Sequence, residues 1–202
     1  MGQFGAVFQR LVRFLLDRLC LLLELLFYAD DRAYLPPITD LLLLQSATTL
    51  AAKIKSGKVN KKGSISFQRF KTKQNKPFPL QIKSEALVRA YISRAREVQP
   101  LINAIIDERF EEALAEARAL DATISRQLAE NGELDDALRR KPFLGVPYTG
   151  KDSIAIKGLR LCSGIPARKD IRAEVDSSVA KLWAEAGAIP LAQTNVPELL
   201  LW

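Results

Sequence analysis

Histidine is absent from the 202-residue sequence, and its absence excludes whole classes of site. Without an imidazole, the chain cannot by itself form a Ser-His-Asp or Cys-His catalytic group or a histidine-ligated metal centre. Its two cysteines, Cys20 and Cys162, are too few for a disulfide framework or a thiolate zinc site. Any general base in this chain must therefore be a lysine, an acidic residue or a tyrosine.

Acidic residues are missing from one long window, residues 41–84, which holds ten of the 30 basic residues. Outside it, 20 basic residues face 23 acidic ones, so the basic character belongs to one segment. Phe67, Phe70 and Phe78 alternate with the lysines, as in a surface for single-stranded nucleic acid. Nearby proline and glycine residues oppose regular structure. We therefore predict a basic flexible insertion over 60–83 and no nucleic-acid partner. Contact with anionic lipid head groups is the alternative.

The most apolar stretch is residues 11–27, within a predicted N-terminal helix over 1–35. Asp17 and Arg18 lie near its centre and would cost roughly 5–7 kcal/mol in a membrane-spanning helix, about what the apolar side chains return. A helix lying in a membrane surface, or packed on a partner, therefore fits better than a spanning one. A buried helix of a soluble fold fits this segment equally well. We expect association with an intracellular membrane or lipid surface.

Helical periodicity dominates the next part of the chain. A short helical segment is predicted within 36–59. Ser84 can cap a helix that ends at Pro100, and a second helix over about 107–130 ends at Gly132. Together these two helices form a predicted helical hairpin, whose mixed charges on the outer face are typical of a scaffold.

After residue 140 the pattern changes from helical to β-like. The pieces 142–150 and 155–164 are predicted as strands, followed by a helix over 177–186 and an apolar strand over 188–195. Strand, helix, strand is the βαβ pattern of an α/β domain. Because one parallel pair is not a self-sufficient sheet, we expect only the first part of an α/β core.

The stretch Gly-Val-Pro-Tyr-Thr-Gly-Lys-Asp, residues 145–152, nearly matches a phosphate-binding loop, G-x-x-x-x-G-K-[ST]. Asp152 replaces the metal-binding hydroxyl and would repel a phosphate. Pro147 removes a backbone N–H that such a loop uses. A nucleotide site is therefore disfavoured.

Three blocks in order carry a family resemblance: K-P-F-L-G-V-P-Y-T-G-K-D at 141–152, A-E-V-D-S-S-V-A-K-L-W-A-E-A-G-A at 173–188, and T-N-V-P-E at 194–198. Together they resemble the amidase signature family, and within it the type-2 branch of fatty-acid amide hydrolases. The resemblance covers 84–202, which we interpret as the N-terminal part of an amidase domain, and extends more weakly upstream.

The resemblance implies a serine hydrolase that works without histidine, metal or organic cofactor. In the family a neutral lysine takes a proton from the nucleophilic serine through a bridging serine, and Lys151 matches that lysine. Leu200 matches a residue that lines the acyl channel, whereas Thr194, Asn195 and Glu198 are interpreted as structural. Gly150 departs from the pattern, because an apolar residue usually precedes the lysine.

Both serines of the family lie beyond the T-N-V-P-E block, one of them in a Gly-Gly-Ser-Ser-Gly-Gly segment, and the 202 residues reach Trp202 without either. Ser177 and Ser178 instead suit a helix cap. We therefore expect no amidase activity from this chain alone. Residues 60–81 differ in sequence character from the segments on either side. This suggests the hypothesis that the insertion, and with it the stop at Trp202, comes from the gene model or an alternative transcript.

The expected function is hydrolysis of lipid amides at a membrane surface, once the catalytic serines are supplied. Two alternatives stay open at this point. One is a non-catalytic, membrane-associated interaction protein. The other is an amidase of another substrate class, similar to the amidotransferase subunits that act on tRNA-linked glutamate.

Overall fold

The computed structural model describes residues 2–27, 34–56 and 82–201, so residues 60–81 of the predicted insertion lie outside the described residues. The chain divides into two units, Met1–Pro36 and Pro37–Trp202. The first contains one helix, α1 (Gly2–Phe27), as the apolar periodicity predicts. Its side chains from residue 10 to 23 are exposed. Among the described residues, no helix combines the length and apolar character needed to cross a membrane.

The second unit begins with two short helical pieces where one was predicted. A 3₁₀ turn, Leu41–Leu44, is capped by the Asp40 side chain and is followed by α2 (Ala47–Lys55). The Ser46 hydroxyl accepts a hydrogen bond from the Thr49 N–H at 3.2 Å, which starts a new helix and explains the break.

The helical hairpin is confirmed as α3 (Ser84–Ile102) and α4 (Phe110–Asn131), and Gly132 ends α4 with a positive φ. The predicted Ser84 cap is wrong. Instead, the Asp121 carboxylate of α4 accepts hydrogen bonds from the first two N–H groups of α3, those of Ser84 and Glu85. Ser84 is buried, and its hydroxyl donates to the Gly145 carbonyl at 2.8 Å.

Between these helices lies a strand, β1 (Ile105–Glu108), where the sequence predicted the start of a helix. α3 continues past Pro100 and ends at Asn103, which adopts the left-handed conformation. The strand forms because its backbone pairs with a distant strand late in the chain. That pairing is tertiary, so local periodicity does not reveal it.

The predicted strand-helix-strand unit is present as β2 (Pro147–Lys151), α6 (Ser178–Glu185) and β3 (Ile189–Thr194), with one helical turn, α5 (Asp136–Arg139), before it. β2 and β3 are parallel, β1 joins β3 antiparallel, and the strand order is β1-β3-β2. The predicted strand over 155–164 is wrong. This segment turns at Gly158 and Gly164, both with positive φ, and contributes only an isolated bridge at Arg160.

Apolar side chains fill both sides of the helical hairpin. One cluster joins α2, α3 and α4 to the approach to β2, and another packs α3 and α4 against β3. Ile82 is buried in the first cluster, although the domain boundaries predicted from the sequence assign it to the insertion. The two clusters hold the sheet against the hairpin and so fix the position in space of the last residue of β2.

Candidate functional site

Lys151 is the last residue of β2, and its partner in the parallel register is Thr194, the last residue of β3. Its side chain is exposed. The preceding pair, Gly150 and Gln193, is buried, so successive residues face opposite sides of the sheet. Lys151 therefore lies at the carboxyl edge of a parallel pair, where open α/β sheets place their ligands.

The next residue, Asp152, holds the backbone that follows the strand. Its side chain is almost fully buried, with 1% of the residue exposed. One carboxylate oxygen accepts from the Cys162 N–H at 2.7 Å and the other from the Gly164 N–H at 3.0 Å. Its own N–H donates to the Thr194 carbonyl at 2.9 Å. Asp152 thus ties together β2, β3 and the loop at 162–164.

The ionisation of this loop follows from the same contacts. Burial acts to raise the pKa of Asp152, but the N–H groups of Gly164 and Cys162 stabilise its carboxylate, and the net pKa lies below the ordinary value. Burial and then the adjacent Asp152 carboxylate raise the pKa of the Cys162 thiol. Cys162 therefore stays a neutral thiol near pH 7, which does not suit a nucleophile.

The loop also fixes the turn after β3. The Leu199 N–H donates to the Ser163 carbonyl at 2.9 Å. A side chain at Gly164 would place its Cβ 2.7 Å from the Pro197 carbonyl oxygen, and its φ of +73° further requires glycine. Asp152 thereby orders the turn that carries Leu200, which is 48% exposed.

Gln193 is the residue that sequence reasoning missed. It is fully buried, and its Nε2 donates to the Lys151 carbonyl at 2.6 Å and to the Ile154 carbonyl at 2.9 Å. Its one available signal was a polar residue near the end of an apolar strand. Gly150 is explained by the same packing. A Cβ there would lie 2.6 Å from Ile156 Cδ1 and 3.0 Å from Gln193 Oε1.

Two of the three residues interpreted as structural, Thr194 and Asn195, bond backbone carbonyls. The Thr194 hydroxyl donates to the Gly150 carbonyl at 3.1 Å, and the Asn195 side chain donates to the Asn103 carbonyl at 3.1 Å. Ser177 caps α6 by accepting from the Ala180 N–H, as predicted. No phosphate-binding loop forms, because residues 147–151 are a strand and Asp152 takes the nearby N–H groups for itself.

Lys151 lines neither of two cavities formed by the described residues. A cavity of about 420 Å³ lies at the amino end of β3, next to Arg109, Glu116 and Ile189, and Lys151 does not line it. Within the part of the chain that the structure describes, no group of acidic or cysteine side chains is arranged to hold a metal ion. The arrangement offers one exposed amine at a sheet edge, held by buried polar groups.

The architecture and this edge define a mixed α/β domain with a lysine at the carboxyl end of its parallel strands. The sequence model of the family described as Amidase matches residues 86–202. The chain is 38% identical to fatty-acid amide hydrolase 2-A of Danio rerio over 83% of its own length and 27% of that protein. It is 39% identical to human fatty-acid amide hydrolase 2 over 82% of its length and 26% of that protein.

The chain belongs to the amidase family. It spans about a quarter of the length of these curated relatives. A solved 6-aminohexanoate cyclic dimer hydrolase resembles it with a TM-score of 0.53 and 27% identity, over 80% of this chain and 25% of that one. The resemblance inferred from the three sequence blocks is thereby confirmed.

Proposed function

We propose that this chain supplies the general base and part of the acyl-binding surface of a serine amidase that acts on lipid amides. The position of Lys151 supports this function. It is exposed at the carboxyl edge of β2 and β3, and its backbone is held by the buried Asp152 and Gln193. Such an amine can reach a substrate while its main chain stays fixed.

In the proposed reaction, Lys151 accepts the proton of the nucleophilic serine through a bridging serine. The serine attacks the amide carbonyl, the amine leaves with a proton, and water hydrolyses the acyl-serine ester. Desolvation favours the neutral form of an amine. We therefore expect the reactive state to be one in which this exposed edge is covered. The Gly-Gly-Ser-Ser-Gly-Gly segment that the resemblance implies for the nucleophile is not among these 202 residues.

The breadth of the sequence match supports a fatty-acid amide as the substrate. The match to fatty-acid amide hydrolase 2-A covers 83% of the chain, well beyond the family-model region at 86–202. A glutamyl-tRNA(Gln) amidotransferase protein from Oleidesulfovibrio alaskensis is 34% identical to this chain, over only 59% of its length. The residues upstream of the shared domain therefore favour the lipid-amide class.

The character of α1 supports membrane association. Large apolar side chains along this helix are exposed in its unit, including Phe14, Leu15 and Leu19. Exposed apolar surface of this extent marks a contact with a membrane or a partner. We propose that α1 lies in a lipid surface and delivers the enzyme to its substrate.

The test is a substrate comparison with the natural gene product, sequenced in full so that its serines are known. We expect long-chain fatty-acid amides to be hydrolysed with a kcat/KM at least about 100-fold above acetamide, since each buried CH₂ contributes about 0.8 kcal/mol. Equal rates on both substrates, or hydrolysis of glutamine instead, would contradict the proposed substrate class.

A matched pair of variants tests whether Leu200 contacts the acyl chain of the substrate. Leu200→Ala should reduce the preference for long acyl chains, whereas Leu182→Ala, which truncates an exposed leucine of α6, should leave it unchanged. An equal effect of both variants would contradict a role of Leu200 in the acyl channel.

A further inference from the structure

Gln193 is built into the interior of the sheet although it is polar. It is fully buried on β3, and its Nε2 makes two short donations, to the carbonyls of Lys151 and Ile154. Its Oε1 has no hydrogen-bond partner within the described residues. Exchanging the two amide atoms would point an oxygen at both carbonyls, so this orientation is required. An unpaired buried acceptor is unfavourable, so the two donated bonds must be what this residue contributes.

The two donations converge on the turn that follows the lysine. The Lys151 carbonyl also accepts the Ile154 N–H at 2.8 Å, which closes the turn. Gln193 bonds the carbonyl at each end of this turn, and Gly150 leaves the space that its side chain occupies. The glycine at 150 therefore makes room for the Gln193 amide, and that amide holds the turn.

Gln193 cannot itself touch a substrate at the lysine. Its register partner is Gly150, whereas the partner of Lys151 is Thr194, so the Gln193 and Lys151 side chains lie on opposite faces of the sheet. The glutamine is buried on its face, and the lysine is exposed on the other. Any influence of Gln193 on Lys151 must pass through the backbone.

We propose that Gln193 is a positioning residue for Lys151, which clamps the turn at 151–154 from the buried face so that the lysine keeps a fixed direction. The proposal rests on the assignment of Lys151 as the base in the proposed function. The effect of Gln193 on the backbone of the turn can be tested in the whole 202-residue chain, by a measurement that does not depend on enzyme activity.

The test compares Gln193→Met with Leu191→Met, a control at a buried site on the same strand, where the side chain packs in the cluster formed with α3 and α4. Methionine keeps the volume of glutamine but removes both donors and the unpaired oxygen. We expect amide hydrogen exchange at Ile154 to become at least about tenfold faster in Gln193→Met. Exchange at Ile189, whose N–H bonds the Val146 carbonyl at the other end of the same strand pair, should change less than about twofold.

Three results would overturn the proposal. One is unchanged exchange at Ile154, and another is equal acceleration at Ile154 and Ile189, which would make Gln193 a general stabiliser. The third needs no variant. In the unsubstituted chain the Gln193 side-chain amide protons should be protected from exchange, and the absence of protection would contradict the two bonds.

In the natural gene product, Gln193→Met should lower kcat about tenfold while KM stays unchanged, because the residue does not touch substrate. A raised KM at constant kcat would overturn the positioning role. A failure of the proposed function can be distinguished from a failure of this positioning role. If Lys151→Met retains hydrolysis, Lys151 is not the base, whatever the exchange at Ile154 shows.

Discussion

The helical hairpin and the turn at the end of β2 are held by different forces. α3 and α4 are joined by buried apolar side chains such as Leu87, Val88 and Leu114, with ion pairs confined to exposed or half-buried positions. The segment 151–164 packs Ile156 and Leu159 into a small apolar cluster with Ala180. Its turns are held in addition by two buried polar side chains, Asp152 and Gln193, bonded to the backbone. Apolar packing thus stabilises the helical hairpin, whereas hydrogen bonds from buried polar side chains fix the backbone that follows Lys151.

The largest effect is expected on the apolar side of this comparison. Leu87→Ala removes a fully buried side chain from the cluster between α2, α3 and α4, and should reduce the free energy of unfolding by about 4 kcal/mol. Denaturant unfolding of the variant measures it. Leu101→Ala, an exposed leucine of the same helix, is the control and should change stability by less than about 0.5 kcal/mol. Equal effects would show that the hairpin is not held by this cluster.

The next effect tests the polar side. Asp152→Asn keeps the shape of the side chain but places an N–H₂ group against a backbone N–H. We expect a loss of about 3 kcal/mol, since charge-assisted bonds are lost and a buried donor is left unpaired. The measurement is again denaturant unfolding, with the exposed Asp170→Asn as control. A change below about 0.5 kcal/mol would contradict the anchoring role.

A smaller effect is expected at Gly150. Gly150→Ala would bring its Cβ within 2.6 Å of Ile156 Cδ1 and should cost about 1–2 kcal/mol. Because the nearest atom is a terminal methyl, the second substitution Ile156→Val should recover part of that loss. A double-mutant cycle measures the coupling. Additive effects would mean that Ile156 does not crowd this position.

The smallest effect is a pH dependence. Because the pKa of Asp152 is lower in the folded state, its contribution to stability is fully present above the ordinary carboxyl pKa and is lost as the pH falls through the folded value. Unfolding free energies measured between pH 6 and pH 2 should therefore fall less steeply in Asp152→Asn than in the unsubstituted chain. Identical slopes would show that the carboxylate is not preferentially stabilised by folding.

The sequence predicted much of the scaffold, because apolar periodicity is a local signal. It indicated α3, α4, α6 and the parallel pair β2–β3, together with Lys151 near the end of β2. It missed β1, since that strand exists only through pairing with β3, and it replaced the turns after Lys151 with a strand. Side chains that bond distant backbone groups, such as Gln193 and Asp121, leave no periodic trace.

We expect Lys151 to serve chemistry and not folding, and the variant Lys151→Met in the natural gene product separates these two roles. Hydrolysis of a long-chain fatty-acid amide and the thermal midpoint are measured together, with the exposed Lys157→Met as control. We expect about a 10³-fold loss of kcat with the thermal midpoint unchanged, and wild-type activity in the control. Retained hydrolysis in Lys151→Met, or a loss explained by unfolding, would contradict it.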